Sequence, residues 1–288
     1  MTAAHTASPS DFGVFRPDEL DGLDGFFRVQ GFGVLRGLWP DAVIDEVLDE
    51  CEHAQVRVGR GELDERYGTT ELIDDAVDPA SATTLVNYVT FLTELAPRTR
   101  AAILDPVIVE LVTRWAGAVR LFEHTRFGVV YQDARPSADS GYARIGWHSD
   151  WQSAPHRPLW PSVAFTIHLD ATSPENGFLR VVPGSHRWAT PAPYENANNV
   201  IVPDSASPWG GHTSDPPPAP MPLGFEKVAG EVGVYCERGD VLFHDAYLWH
   251  SAARATDDGG KRRHVRGSWY QGHETPDQPD DFVKNAAR

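Results

Sequence analysis

The sequence predicts a mainly β fold with flanking helices: an antiparallel sandwich or jelly roll preceded by a helical N-terminal part. Three observations carry this. Residues 14–118 are dominated by apolar residues at helical spacing. From Val119 the pattern changes to short alternating or β-branched runs. Turn signals rich in Gly, Pro, Asn and Asp separate those runs. The 288 residues suffice for a single large domain. Within 1–288 the expected parts are a helical flank at 14–118, a core at 119–275 and a Pro-rich insertion at 187–230.

Gly31 to Leu35 reads as a short strand inside the helical part. Trp39-Pro40-Asp41 opens a helix, with Pro in its first turn and acid favoured by the dipole. It runs through Val43, Val47, Leu48 and Cys51. Further helical spacing covers Pro97 to Val109 and Ile108 to Trp115, ending at Gly117. Strands are expected at 125–132, 144–151, 162–169, 178–182, 232–236, 240–244 and 262–271. Turns fall at Pro136 to Gly141, at Pro174-Glu175-Asn176-Gly177 and at Gly259-Gly260. Nine prolines lie between Pro191 and Pro222. Proline at this density argues against regular ladders, and a loop of this length directly after the Pro183-Gly184-Ser185-His186 turn reads as a lid over a site.

Composition narrows the function classes. Hydrophobic residues make up 41% and charged residues 23%, an ordinary globular balance. No apolar run approaches the roughly 20 residues that span a bilayer, and the first ten residues lack a basic start followed by an apolar stretch. The expected setting is cytoplasmic. The net charge is -16, with the acids concentrated in the first 120 residues. Such a field repels nucleic acid and anionic membranes, leaving a small molecule as the expected partner. Two cysteines, Cys51 and Cys236, are too few for a disulfide framework, and neither has a partner for redox or nucleophilic work.

The chemistry concentrates in Gly146-Trp147-His148-Ser149-Asp150-Trp151. On a strand, His148 and Asp150 point to one face and can grip one ion. A second His from a distant strand, His250 in Trp249-His250, completes a two-His, one-carboxylate triad. That set leaves about half of an octahedral ion's positions open, the arrangement of non-haem Fe(II) oxygenases. His-x-Asp alone is weak evidence in a chain with 12 histidines. The surroundings strengthen it: Asp240-Val241-Leu242-Phe243-His244, entered through Gly239, leads to His250, and the arginine-rich strand at 262–271 follows.

Four segments resemble the phytanoyl-CoA dioxygenase family of Fe(II)- and 2-oxoglutarate-dependent oxygenases. They are Trp147 to Asp150, Glu175-Asn176-Gly177 through Pro183-Gly184-Ser185-His186, Gly239 to Phe243 through Trp249-His250-Ser251, and Arg263. A weaker fifth is Phe26 to Gly37. The resemblance runs in order over about residues 20 to 272. It implies a double-stranded β-helix (jelly roll, cupin-like) behind N-terminal helices. It also implies Fe(II) held by His148, Asp150 and His250, with 2-oxoglutarate and O₂ consumed and succinate and CO₂ released. Related halogenases replace the carboxylate, so Asp150 points to oxygenation: hydroxylation, or a desaturation or cyclisation.

The far carboxylate of 2-oxoglutarate needs a cation, and arginine offers a matching fork. Arg262, Arg263 and Arg266 compete. On a regular strand Arg262 and Arg266 share a face opposite Arg263. Arg263 is the choice, because its spacing from His250 and the aromatic Tyr270 seven residues on resemble the family's arginine strand. Arg262 is the runner-up should a bulge reverse the facing. Thr166 and Gln132 are further cosubstrate contacts; the family often carries Lys near position 132. Trp151 and Gln152 are expected to line the substrate pocket. His168, His186 and His244 read as structural, and His156, His212 and His273 as loop residues. The tryptophans around the motif suggest apolar walls and a specialised-metabolite intermediate as substrate. The competing class is a non-catalytic β-sandwich or cupin-like module that binds a metal or ligand without O₂ chemistry.

Overall fold

A computed structural model of the chain describes residues 11–69, 87–125, 128–134, 146–153, 155, 160–195, 201–203, 208–222, 224–253, 255–257 and 260–271. The turn expected at 136–141, and His156 and His273, lie outside these residues, as do parts of the strands expected at 125–132 and 144–151.

The N-terminal part contains strand β1 (Val14–Phe15), helix α1 (Leu20–Gln30), strand β2 (Phe32–Leu35) and helix α2 (Asp41–Gly59). Strands β3 (Gly68–Thr69) and β4 (Tyr88–Val89) follow. Helices α3 (Leu92–Leu95), α4 (Pro97–Ile103) and α5 (Pro106–Ala116) complete it. Next come β5 (Val119–Leu121), β6 (Val130–Ala134), β7 (Ser162–His168) and β8 (Leu179–Val181). The region after the Pro-Gly-Ser-His turn holds β9 (Thr190–Pro191), β10 (Pro193–Glu195), β11 (Ile201–Pro203) and β12 (Trp209–Gly210). The chain then forms β13 (Val232–Val234), β14 (Val241–Asp245), β15 (His250–Ala252) and β16 (Arg262–Gln271).

Among the described residues the main sheet runs β1-β2-β14-β7-β16-β6-β4-β3, with β5 also pairing with β16. A smaller sheet has the order β13-β8-β15. Two sheets with mostly antiparallel pairing give the jelly-roll architecture. Strands β1 to β4, from the part expected to be mainly helical, extend the main sheet.

Register decides what each face does. In β7 every second residue, Val163, Phe165 and Ile167, joins one buried cluster with Val241 and Phe243 of β14 and with Val265 and Trp269 of β16. The same cluster contains Ile44, Val47 and Cys51 of α2 and Ile108, Leu111 and Val112 of α5. This face is sealed by helices. Directly paired residues share a face. The opposite face therefore carries Ala164, Thr166 and His168 of β7, Leu242 and His244 of β14, Arg262, His264, Arg266 and Ser268 of β16, and Gln132 of β6. One face is apolar and helix-covered; the other is polar and looks toward the smaller sheet.

Local differences from the sequence reading have simple causes. Pro40 precedes the first helical residue as the N-cap. The division between the two helical stretches read from Pro97 falls earlier than expected, at Leu104-Asp105, because the Asp105 side chain accepts from Val107 N and starts α5 with Pro106 in its first turn. The Pro-rich region does contain ladders: β9 pairs with β12 and β10 with β11. They are only two or three residues long, so Pro191, Pro193 and Pro203 sit at edges where a missing N–H is tolerated. Gly31 ends α1 at φ 81, and a Cβ there would lie 2.5 Å from His186 Nδ1. Glycine thus seats the Pro-Gly-Ser-His turn against the first helix, and His186 Nε2 lies 3.3 Å from Arg28 O.

Candidate metal centre

His148, Asp150 and His250 each offer one ligand atom, and these atoms all lie within 4.8 Å of one another. The backbone builds the arrangement. His148 and His250 form an isolated antiparallel bridge, with His148 N to His250 O at 3.0 Å and His250 N to His148 O at 2.9 Å. The two rings stand 4.1 Å apart between centroids. Asp150 is not on a continuation of that strand. It opens a 3-10 turn, Asp150–Ser153, held by Ser149 N donating to Gln152 Oε1 and by Trp151 N donating to Ala246 O at 3.1 Å. The His-x-Asp pair is thus delivered by a bridge followed by a turn.

The rings are oriented for a cation. His148 Nδ1 lies 2.8 Å from Gly146 O, and His250 Nδ1 lies 2.9 Å from Leu248 O. Each Nδ1 must donate there, which leaves each Nε2 as a lone pair; metal-ligating histidines are usually fixed in this way. His250 is held well below its ordinary value by burial first and by the neighbouring His148 and His244, so it is neutral. Burial alone would raise the Asp150 carboxyl, but a hydrogen bond with His244 and the nearby imidazoles hold it below the usual carboxylate range. Two imidazoles and one carboxylate suit a divalent transition metal. His148 and Asp150 each keep 34% of their side chain accessible, against 7% for His250. The donors therefore open on one side.

Arg263 lies elsewhere. It shares its parity on β16 with Val265 and Trp269 and faces the helices. Its Nε and Nη2 donate to the Asp170 carboxylate at 2.8 and 2.6 Å, and Nη1 donates to Glu52 of α2 at 2.6 Å. A fork already filled by two carboxylates on the far face of the sheet cannot hold a ligand of this centre. The expectation for Arg263 is corrected accordingly.

Arg266 stands on the centre's side. It pairs across the sheet with Thr166, its Nε lies 3.3 Å from Gln132 Oε1, and it shows no ion pair among the described residues. Burial pulls it below its ordinary value, with the charges of Tyr88 and Asp150 acting the other way. A deep cation without a carboxylate is costly unless an anion is bound. Thr166 and Gln132 are thus brought beside an arginine. Gln132 Nε2 also donates to Tyr88 Oη at 3.1 Å, and its Oε1 lies 3.1 Å from His264 Nε2.

Trp151 is buried, with its ring 6.1 Å from that of Tyr247. A Cβ on Gly210 would overlap it, so the β9–β12 ladder rests on this ring. Gln152 caps its own turn and reaches Pro191 O at 3.4 Å.

His244, expected to be structural, places its Nε2 3.2 Å from Asp150 Oδ2. The missed signal was parity. His264, Arg266 and Ser268 form a polar set alternating with Val265, Gly267 and Trp269, and His244 alternates with Phe243. The polar set marks the cavity face.

Residues 27–265 match the phytanoyl-CoA dioxygenase (PhyH) family. No curated protein sequence matches the chain. Among solved structures the chain is similar to AviO1 from Streptomyces viridochromogenes Tue57, at 20% identity over 89% of this chain and 96% of that one, with a TM-score of 0.56. It is similar to the epimerase SnoN from nogalamycin biosynthesis in complex with Fe3+, alpha ketoglutarate and nogalamycin RO, at 21% identity, 88% and 84% coverage and a TM-score of 0.59. It is also similar to EctD from S. alaskensis with bound Fe, at 15% identity, 86% and 75% coverage and a TM-score of 0.60. At these identities the likeness is one of fold. With the family match spanning most of the sequence and a two-His, one-carboxylate cluster in its expected place, the chain belongs to the phytanoyl-CoA dioxygenase family of Fe(II)- and 2-oxoglutarate-dependent oxygenases.

Proposed function

We propose that this protein is an Fe(II)- and 2-oxoglutarate-dependent dioxygenase that oxidises, and specifically hydroxylates, an unactivated carbon of a small molecule, with release of succinate and CO₂. The observation that carries the reading is the convergence of three donors, the two imidazoles tied through Nδ1, that open on one side. His148, Asp150 and His250 would hold the iron. When bound, iron supplies the oxidising chemistry, driven by decarboxylation of the cosubstrate. The remaining work belongs to the chain. Arg266, with Thr166 beside it and Gln132 bonded to it, binds the cosubstrate's far carboxylate through a charge-assisted contact. Trp151 and the ladder resting on it cover the centre and limit water. Asp150 supports oxygenation over halogenation, since no ligand position is given up to a halide.

The substrate is proposed to be an intermediate of specialised metabolism. In support, SnoN and the carbocyclase SnoK are both described from nogalamycin biosynthesis. An acidic chain of net charge -16 disfavours nucleic acid. No helix among the described residues is long and apolar enough to cross a membrane.

The test is succinate formation. The Fe(II)-loaded protein with 2-oxoglutarate and O₂ should release succinate, faster when a substrate is found by screening and analysed for an added hydroxyl. His148→Ala should abolish release. Tight metal binding without any succinate across the screen would favour the non-catalytic module instead.

A further inference from the structure

The two oxygens of Asp150 face different partners. Oδ1 is 3.5 Å from His250 Nε2 and 4.0 Å from His148 Nε2. Oδ2 is 3.2 Å from His244 Nε2. His244 sits on the polar face of β14, opposite Phe32 on one side and Ala164 on the other. Its ring is 4.4 Å from that of His250 between centroids, and it is 8% exposed. It does not belong to the set of donors that lie within 4.8 Å of one another. It is near the centre but is not one of the three ligands.

An ionised carboxylate only accepts hydrogen bonds. The contact is therefore attractive only when His244 carries its proton on Nε2. Nδ1 is then a lone-pair nitrogen, and it has no hydrogen-bond partner among the described residues. The reverse tautomer would bury an unmet N–H and set two lone pairs against each other, which is worse on both counts. The backbone adds a constraint: Trp151 N donates to Ala246 O at 3.1 Å, so the turn carrying Asp150 is pinned to the residue just beyond β14.

Resting on the metal reading above, we infer that His244 is a positioning residue: its Nε2–H engages Asp150 Oδ2 and keeps Asp150 a one-oxygen ligand. The consequence is a count of sites. An octahedral ion with two imidazoles and one carboxylate oxygen keeps three positions, enough for a two-point cosubstrate and O₂. A carboxylate chelating through both oxygens leaves two. His244 thus protects the vacancy the chemistry needs by occupying the oxygen that would fill it.

The experiment uses Co(II) as the probe, on wild type and on His244→Met and His244→Gln. Gln keeps an N–H donor at similar reach; Met keeps bulk without one. Metal affinity is read by titration. The mode of carboxylate binding is read from the separation of the carboxylate stretching bands in metal-loaded minus metal-free infrared spectra of protein labelled with ¹³C-aspartate. Wild type should give the wide separation of a one-oxygen ligand. His244→Met should weaken Co(II) binding about tenfold to a hundredfold and narrow the separation, and His244→Gln should restore both. Wild-type affinity and bands in His244→Met overturn the inference. A narrow, chelating separation in wild type overturns it too, even where the Met variant fails to fold. Wild type that binds no Co(II) sinks the metal reading itself, and that is seen before any variant is made.

Discussion

Arg263 and Arg266 are three residues apart and do different things. Arg263 satisfies its fork on Asp170 and Glu52 against α2. Arg266 faces Thr166 and Gln132 with no ion pair among the described residues. Arg266→Ala should raise the KM for 2-oxoglutarate about tenfold to a hundredfold, the worth of a charge-assisted hydrogen bond. Arg263→Ala should leave that KM within about twofold. It should lower stability by about 1–2 kcal/mol, since its ion pairs are only partly buried. Burial pushes the Asp170 carboxyl up, but the hydrogen bond and charge of Arg263 outweigh this and lower it. This part of the stability is therefore complete above about pH 4 and fades as pH falls through the lowered folded value. Steady-state kinetics at varied 2-oxoglutarate and thermal melts at pH 7 and pH 3 separate the two arginines. A large KM effect at Arg263 instead would reverse the assignment.

At the scale of elements, the expected strand at 262–271 coincides with β16 (Arg262–Gln271), and that at 162–169 nearly coincides with β7. Long alternating runs fix their own boundaries. What the sequence could not place was the 3-10 turn at Asp150, which depends on Ala246 O and Gln152, or the short ladders β9–β12 and β10–β11, whose strands of two or three residues carry no alternating run of their own. The β9–β12 region also carries an ionisable tie to the main sheet. His212 Nε2 lies 2.7 Å from Asp245 Oδ2, while His212 N and Thr213 N donate to His186 O and Arg187 O. The hydrogen bond with Asp245 raises His212 against the opposing effect of burial. A raised histidine contributes most below its free value of about 6.5, and the contribution is lost as pH rises through the folded value. The side chain is 40% exposed, so the effect is modest, about 1 kcal/mol or less. Amide protection at 209–213, corrected for intrinsic exchange, should therefore fall by up to about fivefold from pH 6 to pH 8.5. His212→Gln should flatten that dependence. A pH slope that persists in His212→Gln would assign the titration to another group.

For the whole molecule, the centre joins side chains carried by separate parts of the chain. His250 belongs to the smaller sheet through β15 and β8. His148 is held by a bridge to His250. Asp150 hangs on a turn tied to the end of β14 in the main sheet. A single ion bound by all three links the two sheets at their open end, and the unfolded chain, with Asp150 and His250 a hundred residues apart, offers no such site. Metal binding must then appear as folding stability. At a free Co(II) concentration about a hundredfold above Kd the gain is about 2.7 kcal/mol, which for a chain of this size is a rise of about 5 °C or more in Tm. His148→Ala is the informative comparison, because that side chain is a third exposed toward the cavity and its loss leaves the apolar core untouched. Its metal-free Tm should stay within about 2 °C of wild type while the shift on adding Co(II) disappears. A shift of undiminished size in His148→Ala would mean that the ion sits elsewhere, and the convergence of these three side chains would then serve packing and hydrogen bonding alone. A shift lost together with a collapse of the metal-free Tm would instead mean that the His148 ring, packed 4.1 Å from that of His250 between centroids, itself supports this end of the smaller sheet. His148→Gln, which restores much of the side-chain bulk that His148→Ala removes, distinguishes that case by retaining the metal-free Tm without the metal response.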